Sequence, residues 1–278
     1  MRVAVVSDTH LSPTSPGADR NWEAVVAHLA ASPPDLVVHG GDLAAAGDTR
    51  PADLVHARRR LDLLPAPWRV VPGNHDVGNP WIDRAELGEG FRRFEAVIGE
   101  RFWSLDAAAQ PGPEATGRPG WRLVGLDSQA LVTGHPDDES GWAWLAERLA
   151  TERPVAVFQH RPLAPISPDE VDTRRRYLTE PGRTRFRELL GRSTVRVIVS
   201  GHVHQWRCRS VDGVDHVWVP STWAWIADTL QPRIGAKVTG LVELDLGLTA
   251  EARLVVPDGM AQTSDDPVTS PAVANAAS

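Results

Sequence analysis

The residues of this chain whose types and spacing could do chemistry are Asp8-Thr9-His10, Gly41-Asp42, Gly73-Asn74-His75-Asp76, His160 and Gly201-His202-Val203-His204. Carboxylate, amide and imidazole groups of this kind ligate divalent cations. Asp8 and His10, two residues apart just past a strand, can face the same way because strand side chains alternate. His202 and His204 repeat that spacing behind Gly201, a residue that permits tight backbone approach. Taken singly, some fragments are ambiguous: Gly-Gly-Asp is also an ordinary turn or helix N-cap. Gly-Asn-His-Asp is sharper, since three polar, metal-competent groups at one strand end have little structural use. A set of seven ligands suits two metal ions sharing one carboxylate, and that chemistry points to hydrolysis of a phosphate ester.

The elements that must position these groups are short apolar runs directly before them: Val3-Ala4-Val5-Val6, Leu36-Val37-Val38, Val70-Val71, Val155-Ala156-Val157-Phe158 and Val195-Arg196-Val197-Ile198-Val199. Five strands delivering ligands to their ends is the arrangement of an α/β fold. Helices are expected over Arg20 to Ala31, Ala52 to Leu64, part of Ile82 to Ile98, Gly141 to Ala150 and Thr184 to Leu190. Trp121 to Leu126 reads as a further strand ending at Asp127-Ser128. Beyond the last motif the chain reads as antiparallel strands over Gln205 to Val211, Val214 to Val219, Gly240 to Leu246 and Arg253 to Val256, with a turn at Asp212-Gly213. Gln110 to Gly120 reads as an exposed loop, and Arg161 to Pro181 as a loop or lid over the site. From Pro257 the composition is Ala, Ser, Thr, Pro and Asp, which predicts one catalytic domain over residues 1–256 and a disordered tail over 257–278.

With 278 residues, 42% of them hydrophobic, the chain can bury one substantial core. A net charge of −7 argues against a protein that grips nucleic acid through its phosphates. Lys237 is the only lysine among 29 basic residues, which reads as coding bias rather than a binding device. The single cysteine, Cys208, excludes an internal disulfide and a cysteine-based metal site. Asp8 and His10 interrupt the opening apolar run, and no stretch approaches membrane-spanning length, so a cytoplasmic protein with no membrane partner is expected.

In order and separation, these motifs resemble the calcineurin-like metallophosphoesterase superfamily over Met1 to Leu246, with its pattern Asp-x-His, Gly-Asp, Gly-Asn-His-Asp/Glu, His and Gly-His-x-His. Pro165-Ile166-Ser167-Pro168-Asp169-Glu170 and Val219-Pro220-Ser221-Thr222 are similar to its cyclic-nucleotide and glycerophosphodiester phosphodiesterase branch. The resemblance implies a four-layer α/β/β/α sandwich of two mixed sheets flanked by helices, with two metals at the strand ends. It assigns Asp8, His10 and His204 to the first metal, Asn74, His160 and His202 to the second, and Asp42 to both. It also implies attack by a metal-bridging hydroxide. His75 would stand beside the substrate phosphate as electrostatic stabiliser or general acid, with Asp76 orienting its ring. Substrate contacts fall to Asn74, His75 and Arg161. Arg161 stands where relatives often carry a second histidine. It either contacts a phosphate bidentately or is a solvent-facing or salt-bridged loop arginine.

The implied ions are Mn²⁺ or Fe²⁺/Fe³⁺, with Zn²⁺ as the third candidate. The only tyrosine, Tyr177, lies outside the motifs, so nothing suggests a tyrosinate-ligated variant. The expected activity is hydrolysis of small organic phosphodiesters, with a phosphomonoesterase, a nuclease and a metal-free scaffold as competitors in that order. A homodimer or larger homo-oligomer is expected from the resemblance alone. Of the eleven tryptophans, Trp144 and Trp218 read as core, whereas Trp223 and Trp225 could wall a base- or aryl-binding pocket or a subunit contact. His28 and His56 read as helix-surface residues, His39 has no assignment, and Asp127-Ser128 and Asp137-Asp138-Glu139 read as structural.

Overall fold

Alternation of apolar side chains sorts the strands onto two faces, and that sorting builds the layers. The computed structural model describes residues 1–79, 84–109, 117, 119–132, 136–163 and 176–265. Its first half runs β1 (Arg2–Val6), α1 (Pro16–Ala31), β2 (Leu36–His39), α2 (Pro51–Leu61), β3 (Trp68–Val70), α3 (Asn74–Val77), α4 (Arg84–Val97) and β4 (Trp103–Asp106). There follow β5 (Arg122–Leu126), α5 (Pro136–Leu149), β6 (Val155–Gln159), α6 (Gly182–Leu190), β7 (Val195–Ser200), β8 (Arg207–Val211) and β9 (Val214–Trp218). The chain closes with β10 (Trp225–Ile226), β11 (Leu241–Leu246), β12 (Ala250–Val255) and β13 (Ser264–Asp265). α1 and α2 begin on Pro16 and Pro51, earlier than apolar spacing alone indicates, because a first-turn proline needs no N–H partner.

Two mixed sheets result, one ordered β12-β11-β1-β2-β3 and the other β4-β5-β6-β7-β9-β8. Val3, Val5, Leu36 and Val38 point to a central layer where they meet Leu123, Phe158, Val197 and Val199 of the second sheet. Their neighbours Ala4, Val6 and Val37 face outward onto α1, α2 and α4 through Trp22, Leu54 and Phe94. Val124, Leu126 and Val157 likewise face α5 and α6 through Trp142, Leu145 and Phe186. A register shift places Val155 opposite Val195 but Ala156 opposite Val197, leaving exposed Arg196 as the extra residue of a bulge. The expected four-layer α/β/β/α sandwich is therefore the fold. Among the described residues, no helix is long and apolar enough to cross a membrane.

The tail expectation needs correction. Residues 257–265 pack on the body: Met260 is buried, Ala261 N–H donates to Asn21 Oδ1 (2.8 Å), and β13 pairs with β10. These contacts run through backbone groups, which composition does not register. Residues 266–278 lie outside the described residues, as do the branch motif Pro165 to Glu170, most of the expected lid and most of the Gln110 to Gly120 loop.

Asp127 after β5 is structural, as expected. Its buried carboxylate meets Arg101 Nη1 at 2.8 Å and accepts the N–H groups of Gln129 and Ala130. Burial pushes its carboxyl up and the guanidinium opposes that shift. Arg101 also lies 3.9 Å above the Phe91 ring. Removing one partner of a buried pair strands the other charge. Arg101→Met is thus expected to lower stability by roughly 3–5 kcal/mol in urea denaturation. A loss below about 1 kcal/mol, the value of an exposed pair, would contradict that reading.

Candidate dinuclear metal centre

Every motif lies just past the end of a strand, and the backbone turns sharply there. Asp8, His10, Asp42, His202 and His204 adopt positive φ between +45° and +69°; among the described non-glycine residues, only Asp212 in the β8–β9 turn joins them. Such conformations cost on the order of 1–3 kcal/mol each and persist where surroundings over-determine them. Gly73 and Gly201 let the turns close. A Cβ at Gly73 would lie 2.1 Å from Asp42 Oδ1, and one at Gly201 would lie 2.0 Å from Ser7 Oγ.

The turns bring six side chains, all buried except half-buried His202, into two groups. Asp8, His10 and His204 offer ligand atoms within 4.8 Å of one another, and so do Asp42, His160 and His202. In the first group, His204 Nε2 lies 3.2 Å from Asp8 Oδ1 and 3.4 Å from His10 Nε2. In the second, His160 Nε2 lies 3.3 Å from Asp42 Oδ2 and 3.1 Å from His202 Nδ1. His160 and His204 donate their Nδ1–H to the carbonyls of Gly40 (2.8 Å) and Ala224 (2.7 Å), which turns Nε2 inward. Imidazoles that hold metals are commonly oriented in this way. Asp8 accepts the Ser7 hydroxyl (2.6 Å) and the His202 backbone N–H. Sequence reasoning did not single out Ser7 or the orienting carbonyls. A backbone carbonyl leaves no mark in residue type.

Burial and mutual charge set the electrostatics. Burial pushes the His10 imidazole down to about 3, aided by neighbouring His75. Burial also disfavours charge on His160, but the Asp42 and Asp8 carboxylates outweigh it and raise that ring to about 9. Burial works against ionised Asp42 as well, yet the surrounding imidazoles, His160 foremost, hold its carboxyl well below the usual range. A carboxylate and two imidazoles gathered in each group form a donor set that suits a divalent cation.

Asp76 calls for a second correction. Adjacent helical residues do not face each other, and the Asp76 carboxylate does not orient His75. It accepts the backbone N–H groups of Leu43 (3.2 Å), Ala44 (2.9 Å) and Gly73 (2.9 Å), tying the Asp42 turn to the Asn74 turn. Burial and nearby Asp42 raise its carboxyl to about 7. The His75 ring is oriented by the Ala45 carbonyl, 2.8 Å from Nδ1.

Arg161 is buried and hydrogen-bonded rather than solvent-facing. It is 2% exposed, donates from Nε to Gln129 Oε1 (3.0 Å), and places Nη1 2.8 Å from His202 Nε2 and Nη2 3.3 Å from Asn74 Oδ1. It contacts two predicted ligands, and both of them border the adjoining cavity. That cavity, of about 610 Å³, is bordered by His10, Asp42, Asn74, His75, His202 and His204 on one side and by Trp223 and Ile226 on another. His39 lies close by as a brace, accepting the Gly41 N–H at 3.2 Å. His28 and His56 pair with Glu243 and Asp19 away from the site.

The family model described as calcineurin-like phosphoesterase matches residues 1–206. The protein named "Probable cyclic nucleotide phosphodiesterase" from Psychrobacter arcticus is 26% identical over 242 residues, covering 80% of each chain. The glycerophosphodiester phosphodiesterase GpdQ of Enterobacter lignolyticus is 33% identical over 147 residues, 50% of this chain and 46% of the relative. Among solved structures, the anchor in the inner membrane complex of Plasmodium superposes with a TM-score of 0.70 at 13% identity, covering 94% of this chain and 86% of that one.

Proposed function

The chain belongs to the calcineurin-like phosphoesterase family, and we propose that it is a dinuclear-metal-dependent phosphodiesterase for small organic phosphodiesters of the cyclic-nucleotide or glycerophosphodiester type. The observation that carries this reading is the pair of adjacent ligand groups bordering one cavity. Names of the curated relatives favour the diester. Asp8, His10 and His204 would hold one ion, Asn74, His160 and His202 the other, and Asp42 both. Bound there, divalent cations would supply an acidified water and neutralise charge on the phosphate oxygens. The mixed oxygen and imidazole donors suit Mn²⁺ or iron, with Zn²⁺ third.

The chain's own groups do the rest. His75 presents Nε2 at the cavity while Nδ1–H is held by Ala45, so the ring can meet a developing negative charge or hand a proton to the leaving oxygen. Asn74 borders the same space and would contact the phosphate. Arg161 holds Asn74 and His202 and would bring positive charge to the phosphate. Asp76 keeps the two ligand-bearing turns together.

Protein treated with chelator is expected to be inactive and to regain hydrolysis of bis-p-nitrophenyl phosphate with Mn²⁺. Its kcat/KM for that diester should exceed that for p-nitrophenyl phosphate by about tenfold or more. A strong monoester preference would move the assignment to a phosphomonoesterase built on the same ligands. No rescue by any divalent cation would indicate a scaffold.

A further inference from the structure

The part of the cavity that the ligands do not account for is its aromatic side. The Trp223 indole is half-buried, its ring centroid 4.9 Å from that of His10, and it borders the cavity together with Ile226, Ala45 and Ala46. Thr49 and Arg50 supply polar groups to the same lining. A recess of about 610 Å³ lies within the usual size of small-molecule sites, roughly 300–1,000 Å³.

The segment carrying Trp223 and Ile226 is held more firmly than a connection between strands requires. Asn21 on α1 donates to the carbonyls of Thr222 (2.8 Å) and Trp223 (3.3 Å) and exchanges hydrogen bonds with Ala261. Thr263 Oγ1 donates to the Trp223 carbonyl at 3.0 Å, and β13 pairs Ser264 with Trp225 and Asp265 with Ile226. From the other side the buried Lys237, the one lysine of the chain, donates to the carbonyls of Ile226 (2.6 Å) and Gln231 (2.7 Å) and pairs with Asp228. α1, the C-terminal segment and Lys237 thus fix the backbone that carries Trp223, whose indole packs on His10 beside the ligand groups. A fixed aromatic wall favours a flat partner, which stacks on it, over a flexible polyol.

We propose that Trp223 is the specificity-determining residue of this site and accepts a planar ring carried by the ester, a nucleobase or aryl group in preference to a glycerol chain. The proposal rests on the phosphoesterase reading above and names its substrate class. The C-terminal segment 261–265, through Asn21 and β10, is the brace that holds the wall.

The test is calorimetric binding of adenosine 5′-monophosphate and glycerol 3-phosphate to the Mn²⁺-loaded full chain. Both carry a phosphate, and only one carries a ring. Trp223→Ala should weaken the nucleotide by about tenfold or more and glycerol 3-phosphate by less than about twofold. Trp223→Phe should keep the nucleotide preference. Trp223→Leu, which keeps apolar bulk but loses the ring, should lose it. Equal weakening of both ligands would make Trp223 a mere support for His10 and overturn the proposal. So would an unchanged nucleotide affinity, or ring preference surviving in Trp223→Leu. Because binding is read without turnover, selective binding with no ester hydrolysed would leave the ring subsite standing and remove the phosphodiesterase reading instead.

Discussion

Asp42→Ala is expected to strip both metals from the protein and to cut kcat on a phosphodiester by at least about 10³-fold. Asp42 is the carboxylate proposed to serve both ions. Its Oδ2 lies 3.3 Å from His160 Nε2 and its Oδ1 accepts the His75 backbone N–H at 2.8 Å, while the side chain borders the cavity beside His10. Two divalent cations about 4 Å apart repel by on the order of 15 kcal/mol at an effective dielectric near 20. An anion between them offsets that repulsion for the pair, whereas a terminal ligand serves one ion. His10→Ala should therefore weaken one metal and leave more residual turnover than Asp42→Ala. Metal content by emission spectroscopy, together with kcat on bis-p-nitrophenyl phosphate, decides the matter. An alanine variant that kept two ions per chain, or more than about a tenth of the turnover, would show that Asp42 is not shared.

What could be read from residues alone follows from where the information sits. Metal ligands announce themselves by type, and five apolar runs ending on them are enough to place them at strand ends. The positive φ of Asp8, His10, Asp42, His202 and His204 was hidden, although Asp and His tolerate that region better than most residues. β4 and α3 went unread because four residues carry too little periodicity to separate from loop. The packing of the 257–265 segment leaves no mark in composition because its ties to Asn21 and β10 run mainly through backbone groups, which Ala, Thr and Ser supply as well as any residue. Arg161 and Asp76 stand out by type, but their protein partners are not legible from the sequence. Those partners, Gln129, Asn74, Leu43 and Ala44, come from other turns and are fixed only by the fold.

The fold by itself does not settle activity, since it is shared with a protein named as an anchor at 13% identity. Catalysis is argued from the site. In this chain Asp8, His10 and His204 converge, as do Asp42, His160 and His202, and both groups are held by oriented carbonyls and backbone N–H groups. All five positive-φ residues of these motifs belong to the proposed ligand set, which favours a retained metal centre over a scaffold.

His75→Ala carries the second large effect. It is expected to retain both metals while kcat falls on the order of 10²-fold or more for esters with alkyl leaving groups. Its ring stands outside the two ligand groups, lies edge-on to His10 at 4.8 Å between centroids, and donates Nδ1–H to Ala45, leaving Nε2 at the cavity. Alanine removes only the ring and keeps the backbone N–H that Asp42 accepts, so the ligand geometry survives. If the ring delivers a proton to the leaving oxygen, the defect should shrink markedly for p-nitrophenyl esters, because p-nitrophenolate departs as a stable anion. If it stabilises charge on the phosphate instead, the defect should be the same for both leaving groups. Metal analysis beside the two kinetic series separates these roles from a third. Loss of an ion in His75→Ala would place the imidazole among the ligands and force a reassignment of Asn74.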